Sequence, residues 1–182
     1  MLFRSLSLQD VRVPAANLLP GTGGLKSPLM CLNQARYGIS WGAIGAAMSC
    51  YDTALQYAKM RKQFGKPIGI FQAVQHQCAD MYLETESSRS AAYYAAWALE
   101  ENAPDASVAV SIAKMYASDA ARTVGNRGIQ VHGGMGFTWE NDVHLYYRRA
   151  KSSETAFGDS TFHRERIARL VIDTDERLAK SA

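Results

Sequence analysis

The sequence predicts an all-α protein: an antiparallel helix bundle with a short remnant of β-strand at its N-terminus. Three observations predict it. Apolar residues recur at helical spacing over long stretches from residue 27 onward. Those stretches are separated only by short turns rich in Gly, Pro and Asn. Long amphipathic helices joined by short turns pack as antiparallel neighbours. The composition agrees, since 182 residues with 47% hydrophobic and 20% charged side chains supply enough apolar material for one core.

The elements follow in order. Leu6, Leu8, Val11 and Val13 alternate and predict a ragged strand or strand pair. A pair this short does not support itself, so it reads as the edge of a larger sheet. Pro14, Pro20 and the glycines at 21, 23 and 24 then break regular structure. Ser27-Pro28 predicts a helix start, with Ser as N-cap and Pro at the first position, and the helix runs to about Arg61. Gly38, Gly42 and Ala46 form a small-residue stripe open to another backbone, with Leu32, Ile39, Ile44 and Leu55 opposite. Gly65, Pro67 and Gly69 interrupt. A second helix covers about Phe71 to Glu101, with Val74, Cys78, Met81 and the Ala91–Leu99 run inward. A third runs from Pro104-Asp105 to about Val131 and ends at Gly133, Gly134 and Gly136. A fourth covers about Asp142 to Lys151, and a last one about Ser160 to Leu178.

Charge and composition exclude several function classes. Lys plus Arg is 20 and Asp plus Glu is 17, so the net charge of +3 is too small to mark a nucleic-acid binder. No stretch approaches the roughly 20 uninterrupted apolar residues of a membrane span. Gln9, Asp10 and Arg12 break any apolar leader. Cys31, Cys50 and Cys78 are far apart and odd in number, which reads as buried free thiols in a reducing, cytoplasmic compartment. The histidines at 76, 132, 144 and 163 lack metal-ligand spacing, so no metal site is expected. No Ser or Cys has the elbow setting of a hydrolase nucleophile. The tryptophans at 41, 97 and 139 and the Tyr93/Tyr94 and Tyr146/Tyr147 pairs read as core or interface aromatics.

Two segments carry chemistry. Arg61-Lys62-Gln63-Phe64-Gly65-Lys66-Pro67 sits at the break between the first two helices. Cations there suit a helix C-terminus. They equally suit a phosphate, with Phe64 offering a ring face. Gln130-Val131-His132-Gly133-Gly134-Met135-Gly136-Phe137 lacks the Gly-Lys-Ser/Thr of a phosphate loop and follows no strand. It is a helix C-cap, or glycines that let a ligand touch the backbone.

Taken together, the pieces resemble the acyl-CoA dehydrogenase family. The carriers are Asn33-x-x-Arg36-Tyr37-Gly38, the Arg61–Pro67 segment, Phe71-Gln72-Ala73-Val74-Gln75, Gln130-x-x-Gly133-Gly134-x-Gly136-Phe137 and Arg148-x-Ala150-Lys151, in that order and spacing. The stretch from Cys31 to Gly42 looks most like glutaryl-CoA dehydrogenase. The resemblance implies a C-terminal helical bundle over residues 25–182, preceded at 1–24 by the edge of a β-domain and a linker. It implies FAD and an acyl-CoA substrate oxidised at a CH–CH bond. By position, Arg61, Phe64, Gln72, Gln130, Gly133 and Gly134 would contact FAD across a dimer interface. Asn33 and Arg36 would contact the acyl-CoA. Assembly as a homodimer or dimer of dimers is implied, with a complementary dehydrogenase subunit as a further partner.

The sequence departs from the family at the base. One usual position of the catalytic glutamate falls on Phe157 and the other on Ala35, and neither side chain accepts a proton. The nearest carboxylates are Asp159, Glu154 and Glu140, with Asp159 the candidate base and an N-cap its structural rival. Two alternatives therefore stand beside an active dehydrogenase component. One is a non-catalytic partner that supplies part of an FAD site, and the other is a helical oligomerisation module without flavin.

Overall fold

The computed structural model describes residues 7–172. Five α-helices make the fold: α1 (Lys26–Met60), α2 (Gln72–Glu100), α3 (Ala106–His132), α4 (Val143–Thr155) and α5 (Ser160–Val171). A two-residue hairpin, β1 (Lys62–Gln63) against β2 (Lys66–Pro67), links α1 to α2. Short 3₁₀ turns at Ile68–Ile70 and Gly133–Phe137 complete the connections. Helix α3 lies at the centre and packs against α1, α2, α4 and α5. The bundle is therefore built around one helix, which is the most deeply buried of the set.

The core is written largely in alanine. Ala43, Ala47, Ala54 and Ala58 face inward on α1, Ala92, Ala95 and Ala98 on α2, and Ala109, Ala113, Ala117, Ala120 and Ala121 on α3. Their spacing of three, four and seven keeps one face small, so the helix backbones approach closely. Ile44, Met81, Val110, Val124 and Val143 fill what remains. Buried hydroxyls are satisfied within their own helices. Ser40 donates to the Arg36 carbonyl at 2.7 Å, and Thr85 donates to the Met81 carbonyl at 2.7 Å.

Several expectations need correction. Residues 7–14 form no strand, and Leu8, Val11 and Val13 are exposed. Alternation selects a face, but a strand also needs a hydrogen-bonded partner, and the described residues offer it none. Leu6 and the extension of the last helix to Leu178 lie outside the described residues. Ser27 is not the N-cap, because α1 already begins at Lys26 after Leu25. Cys31 is exposed rather than buried. Among the described residues nothing lies within 4 Å of where Gly38 and Gly42 would carry a Cβ, and both are exposed, so their stripe faces outward. Tyr93, Tyr94 and Trp97 are exposed, which removes the core reading for them.

Met81 is fully buried between α1 and α3. Met81→Ala is expected to cost about 2–5 kcal/mol, because α1 and α3 are rigid walls that do not collapse into the gap. Urea denaturation followed by circular dichroism measures it. A cost below about 1 kcal/mol would contradict close packing at this position.

Candidate functional site

The residues singled out by sequence fall into two groups at opposite ends of the bundle. Arg36 and Arg61 are 25 positions apart on one continuous helix, which corresponds to roughly 37 Å at 1.5 Å per residue. They belong to two separate sites of this chain.

The first group occupies the hairpin end. Arg61 is the C-cap of α1, and its extended backbone (φ −68°, ψ 125°) turns the chain into β1. Phe64 and Gly65 follow with φ of 53° and 77°, the double left-handed conformation of a tight hairpin turn. Glycine adopts this freely, whereas phenylalanine does so at a cost. The turn leaves the Phe64 ring 84% exposed, with the Phe71 ring edge-on at 6.3 Å. Gln72 opens α2 immediately after. The end of α3 reaches the same place, because His132 stacks on Tyr57 of α1 at 4.5 Å. Gly133 then reverses the chain at φ 60°, and both Gly133 and Gly134 face open space. A cavity of about 430 Å³ lies alongside, lined by Asp52, Tyr57, Met60, His132 and Asn141 among others. Arg61, Phe64, Gln72, Gln130, Gly133 and Gly134 are all solvent-exposed. The Arg61 guanidinium has no acidic partner among the described residues. This end can accept an anion with a flat group beside it.

The second group surrounds the turn between α4 and α5, and here most polar groups are already engaged. Arg36 is buried and donates from Nε to the Phe157 carbonyl at 3.2 Å and from Nη1 to Asn33 Oδ1 at 3.2 Å. Asn33 Oδ1 also accepts from Arg166 Nη2 at 3.0 Å, which joins α1 to α5. Arg166 further donates to Ser111 Oγ and to the Ser107 carbonyl of α3. Lys114, only 1% exposed, donates from Nζ to Ser118 Oγ at 2.7 Å and to the Gly158 carbonyl at 3.2 Å. Two cations from two helices thus hold the carbonyls of consecutive residues. The turn itself is tight, with φ of 59° at Phe157 and 106° at Gly158.

Phe157 projects, partly exposed, from the place where the resemblance puts a glutamate. Asp159 caps α5, its Oδ1 accepting from the Phe162 N–H at 2.8 Å. That is the structural rival to a base. Glu154 pairs with Lys151 at 2.9 Å and with Arg122 at 3.3 Å. Ala35 carries no titratable group. Asn33 Oδ1 thus accepts two bonds, and Arg36 donates from Nε and Nη1 within the chain.

Sequence reasoning missed Lys114 and His163. Lys114 lies on the apolar face of α3, four residues after Val110, which is the signal that could have found it. Burial holds its pKa below the usual lysine value, and Asp119, Glu154 and Asp159 pull it back up. His163 is fully buried on α5. Burial first, then the charges of Lys114, Arg36 and Arg166, push it down to about 4, and only the Phe157 backbone favours its charged form. The imidazole is therefore neutral in the folded chain.

The sign of the pH effect follows. The unfolded chain binds a proton at His163 near pH 6.5 and the folded chain near 4. Between those values the unfolded state holds more protons, so stability rises with pH and levels off above about 6.5. The window is worth on the order of 3 kcal/mol. His163→Gln is expected to flatten this slope in urea melts between pH 4.5 and 7.5. A slope as steep as that of the unaltered chain would contradict the assignment.

Comparison with known proteins agrees with this geometry. Residues 22–172 match the family model described as acyl-CoA dehydrogenase, C-terminal domain. The chain is 43% identical over 166 residues to a probable acyl-CoA dehydrogenase, YngJ, of Bacillus subtilis, covering 91% of this chain and 43% of that protein. The structure of glutaryl-CoA dehydrogenase from Mycobacterium smegmatis superposes with a TM-score of 0.81 at 36% identity, covering 86% of this chain and 40% of that one. A structure described as PigA with FAD and proline superposes with a TM-score of 0.73 at 31% identity, covering 76% and 36%. The chain thus spans less than half the length of these relatives. Helix order, matched residues and identity together show that it belongs to the acyl-CoA dehydrogenase family, as the C-terminal helical domain.

Proposed function

We propose that this chain is a component of an acyl-CoA dehydrogenase-type flavoprotein, and that its hairpin end holds part of an FAD. One observation carries the reading. Arg61, Phe64, Gln72, Gln130, Gly133 and Gly134 come from three separate segments, yet all are exposed at one end of the bundle. A helix bundle has no structural need of an unpaired guanidinium, a ring in a costly backbone conformation and two adjacent open glycines in one place. The residues fit the cofactor. Arg61 would pair with the pyrophosphate, Phe64 would cover a flat face, and the glycines would let the backbone approach. When bound, FAD would take a hydride from the CH–CH bond of an acyl-CoA. The flavin named with PigA and the dehydrogenase activities of the relatives support this reading.

The turn end favours a second reading for the isolated chain, that of a partner supplying half of a site. Phe157 replaces the proton acceptor, and the nearby carboxylates Asp159 and Glu154 are occupied in a cap and in ion pairs. Asn33 and Arg36 would then hold the turn rather than touch acyl-CoA. We place the working site between copies of the chain, as a homodimer or dimer of dimers, or with a complementary dehydrogenase subunit. The roughly 37 Å between the two ends supports this, because it separates the flavin contacts from the turn within one chain. No helix among the described residues is long and apolar enough to cross a membrane. A cytoplasmic location is part of the same proposal.

Arg61→Ala is expected to weaken FAD binding at least tenfold, the effect of about 1.4 kcal/mol of lost charge-assisted hydrogen bonding. Flavin fluorescence quenching measures it, and unchanged affinity would sink the flavin site at this end. The chain alone is expected not to reduce an electron acceptor with acyl-CoA, since Phe157 stands where the resemblance puts the base and Asp159 caps α5. Turnover above that of a mock purification would show the reverse.

A further inference from the structure

The hairpin between α1 and α2 has two faces, and the residues proposed for flavin account for one of them. Lys62 pairs with Pro67, and Gln63 pairs with Lys66. Directly opposed residues of an antiparallel pair stand on one face, and the next pair stands on the other. Lys62 and Pro67 therefore share a face, and alternation puts Arg61 on the opposite one with Gln63 and Lys66.

On the Lys62–Pro67 side the hairpin meets α1 and α2 around a cavity of about 470 Å³. Leu55, Ala58, Lys59, Pro67, Ile70 and Cys78 are among its lining residues. The volume falls within the roughly 300–1,000 Å³ of ligand pockets. Two features fix the wall. The Ile68 N–H donates to the Arg61 carbonyl at 2.8 Å and closes the hairpin. Gly69 lets the 3₁₀ turn press onto α1, where a Cβ would lie 3.0 Å from the Ala58 carbonyl oxygen. Lys59 is the only charged residue on the lining, and no aromatic ring contributes to it. Neither Lys59 nor Lys62 forms an ion pair among the described residues. Asp80, the acid nearest to Cys78 on α2, is held by Arg127 at 2.9 Å.

We propose that this pocket binds an amphipathic monoanion, an apolar body carrying a single carboxylate or sulfonate head. The apolar body leaves water against Leu55, Ala58, Pro67, Ile70 and the Cys78 sulfur. The head meets Lys59 and Lys62, whose ammonium groups are point charges on flexible stems and suit one small anion. A guanidinium fork and a ring face, which would select a phosphate and a flat base, are absent from the lining. The site lies on the face of the hairpin away from Arg61 and does not depend on the flavin reading.

The test uses the whole chain with anilinonaphthalene sulfonate as the fluorescent probe and octanoate as competitor. One saturable probe site is expected, emptied by octanoate but not by octylamine or FAD. Both lysines are exposed, so the double variant Lys59→Gln, Lys62→Gln keeps the fold, and its octanoate affinity is expected to fall at least tenfold. Cys78 supplies a second readout. In a Cys31→Ser background it is the thiol open to a maleimide, because Cys50 is 1% exposed and burial pushes its pKa up to about 12. Octanoate is expected to slow Cys78 labelling at least fivefold. Unchanged octanoate affinity in the lysine variant would overturn the proposal, as would unprotected Cys78 at saturating octanoate. Displacement of the probe by octylamine as readily as by octanoate would show an apolar patch without charge selection and would also overturn it. Displacement of octanoate by FAD would merge the two faces into one site and overturn it, while leaving the flavin reading intact.

Discussion

A buried ammonium sets the constraint on which the rest of the structure depends. Lys114 sits on the central helix with almost no contact with water, and its acceptors are Ser118 Oγ and the backbone of the α4–α5 turn. A buried charge without hydrogen-bond acceptors is costly by several kcal/mol. The last turn of α4 and the residues after it must therefore close over Lys114. Arg36 imposes the same condition from α1 through the Phe157 carbonyl. The path of α5, its cap at Asp159 and its link through Arg166 to Asn33 all follow once that turn is in place.

The two ends of the bundle consequently differ in character. At the turn end, cations are buried, bonded and used up in holding the backbone. At the hairpin end, Arg61 is exposed with no acidic partner among the described residues, and the Phe64 ring is exposed with only Phe71 edge-on to it. In the proposed reading, stability and binding fall to different ends of the same helices, α1 and α3. The alanine-lined contact between them is what lets both ends be rigid at once. Phe157 illustrates the outcome, since its backbone is fixed as firmly as a reactive side chain would require, while its ring can move no proton.

Much of the fold was legible because it rests on local rules. Helical spacing of apolar residues and the glycine and proline breaks located every long helix. The Asp159 cap was legible for the same reason, being a contact within four residues. What was not legible depends on contacts distant in sequence. Lys114 lies on an apolar helix face, but the carbonyls that accept from it are 40 and 44 residues away and are visible only in the folded chain. The bond from Arg36 to the Phe157 carbonyl spans 121 residues and is visible only in the folded chain. The N-terminal alternation reads as a strand because a pattern of faces carries no information about a partner. The hairpin-end residues were assigned through resemblance alone, whereas the ring–guanidinium pair of Trp139 and Arg148 was not legible, since a loop and a helix start lie between them.

The central claim is that the exposed hairpin end, and not a surface elsewhere on the bundle, receives the flavin. Amide chemical-shift mapping of the isotopically labelled chain during titration with FAD tests it most directly. The account predicts shifts concentrated at Arg61–Gln72 and Gln130–Gly134. Saturation without any shift in those two segments would contradict it.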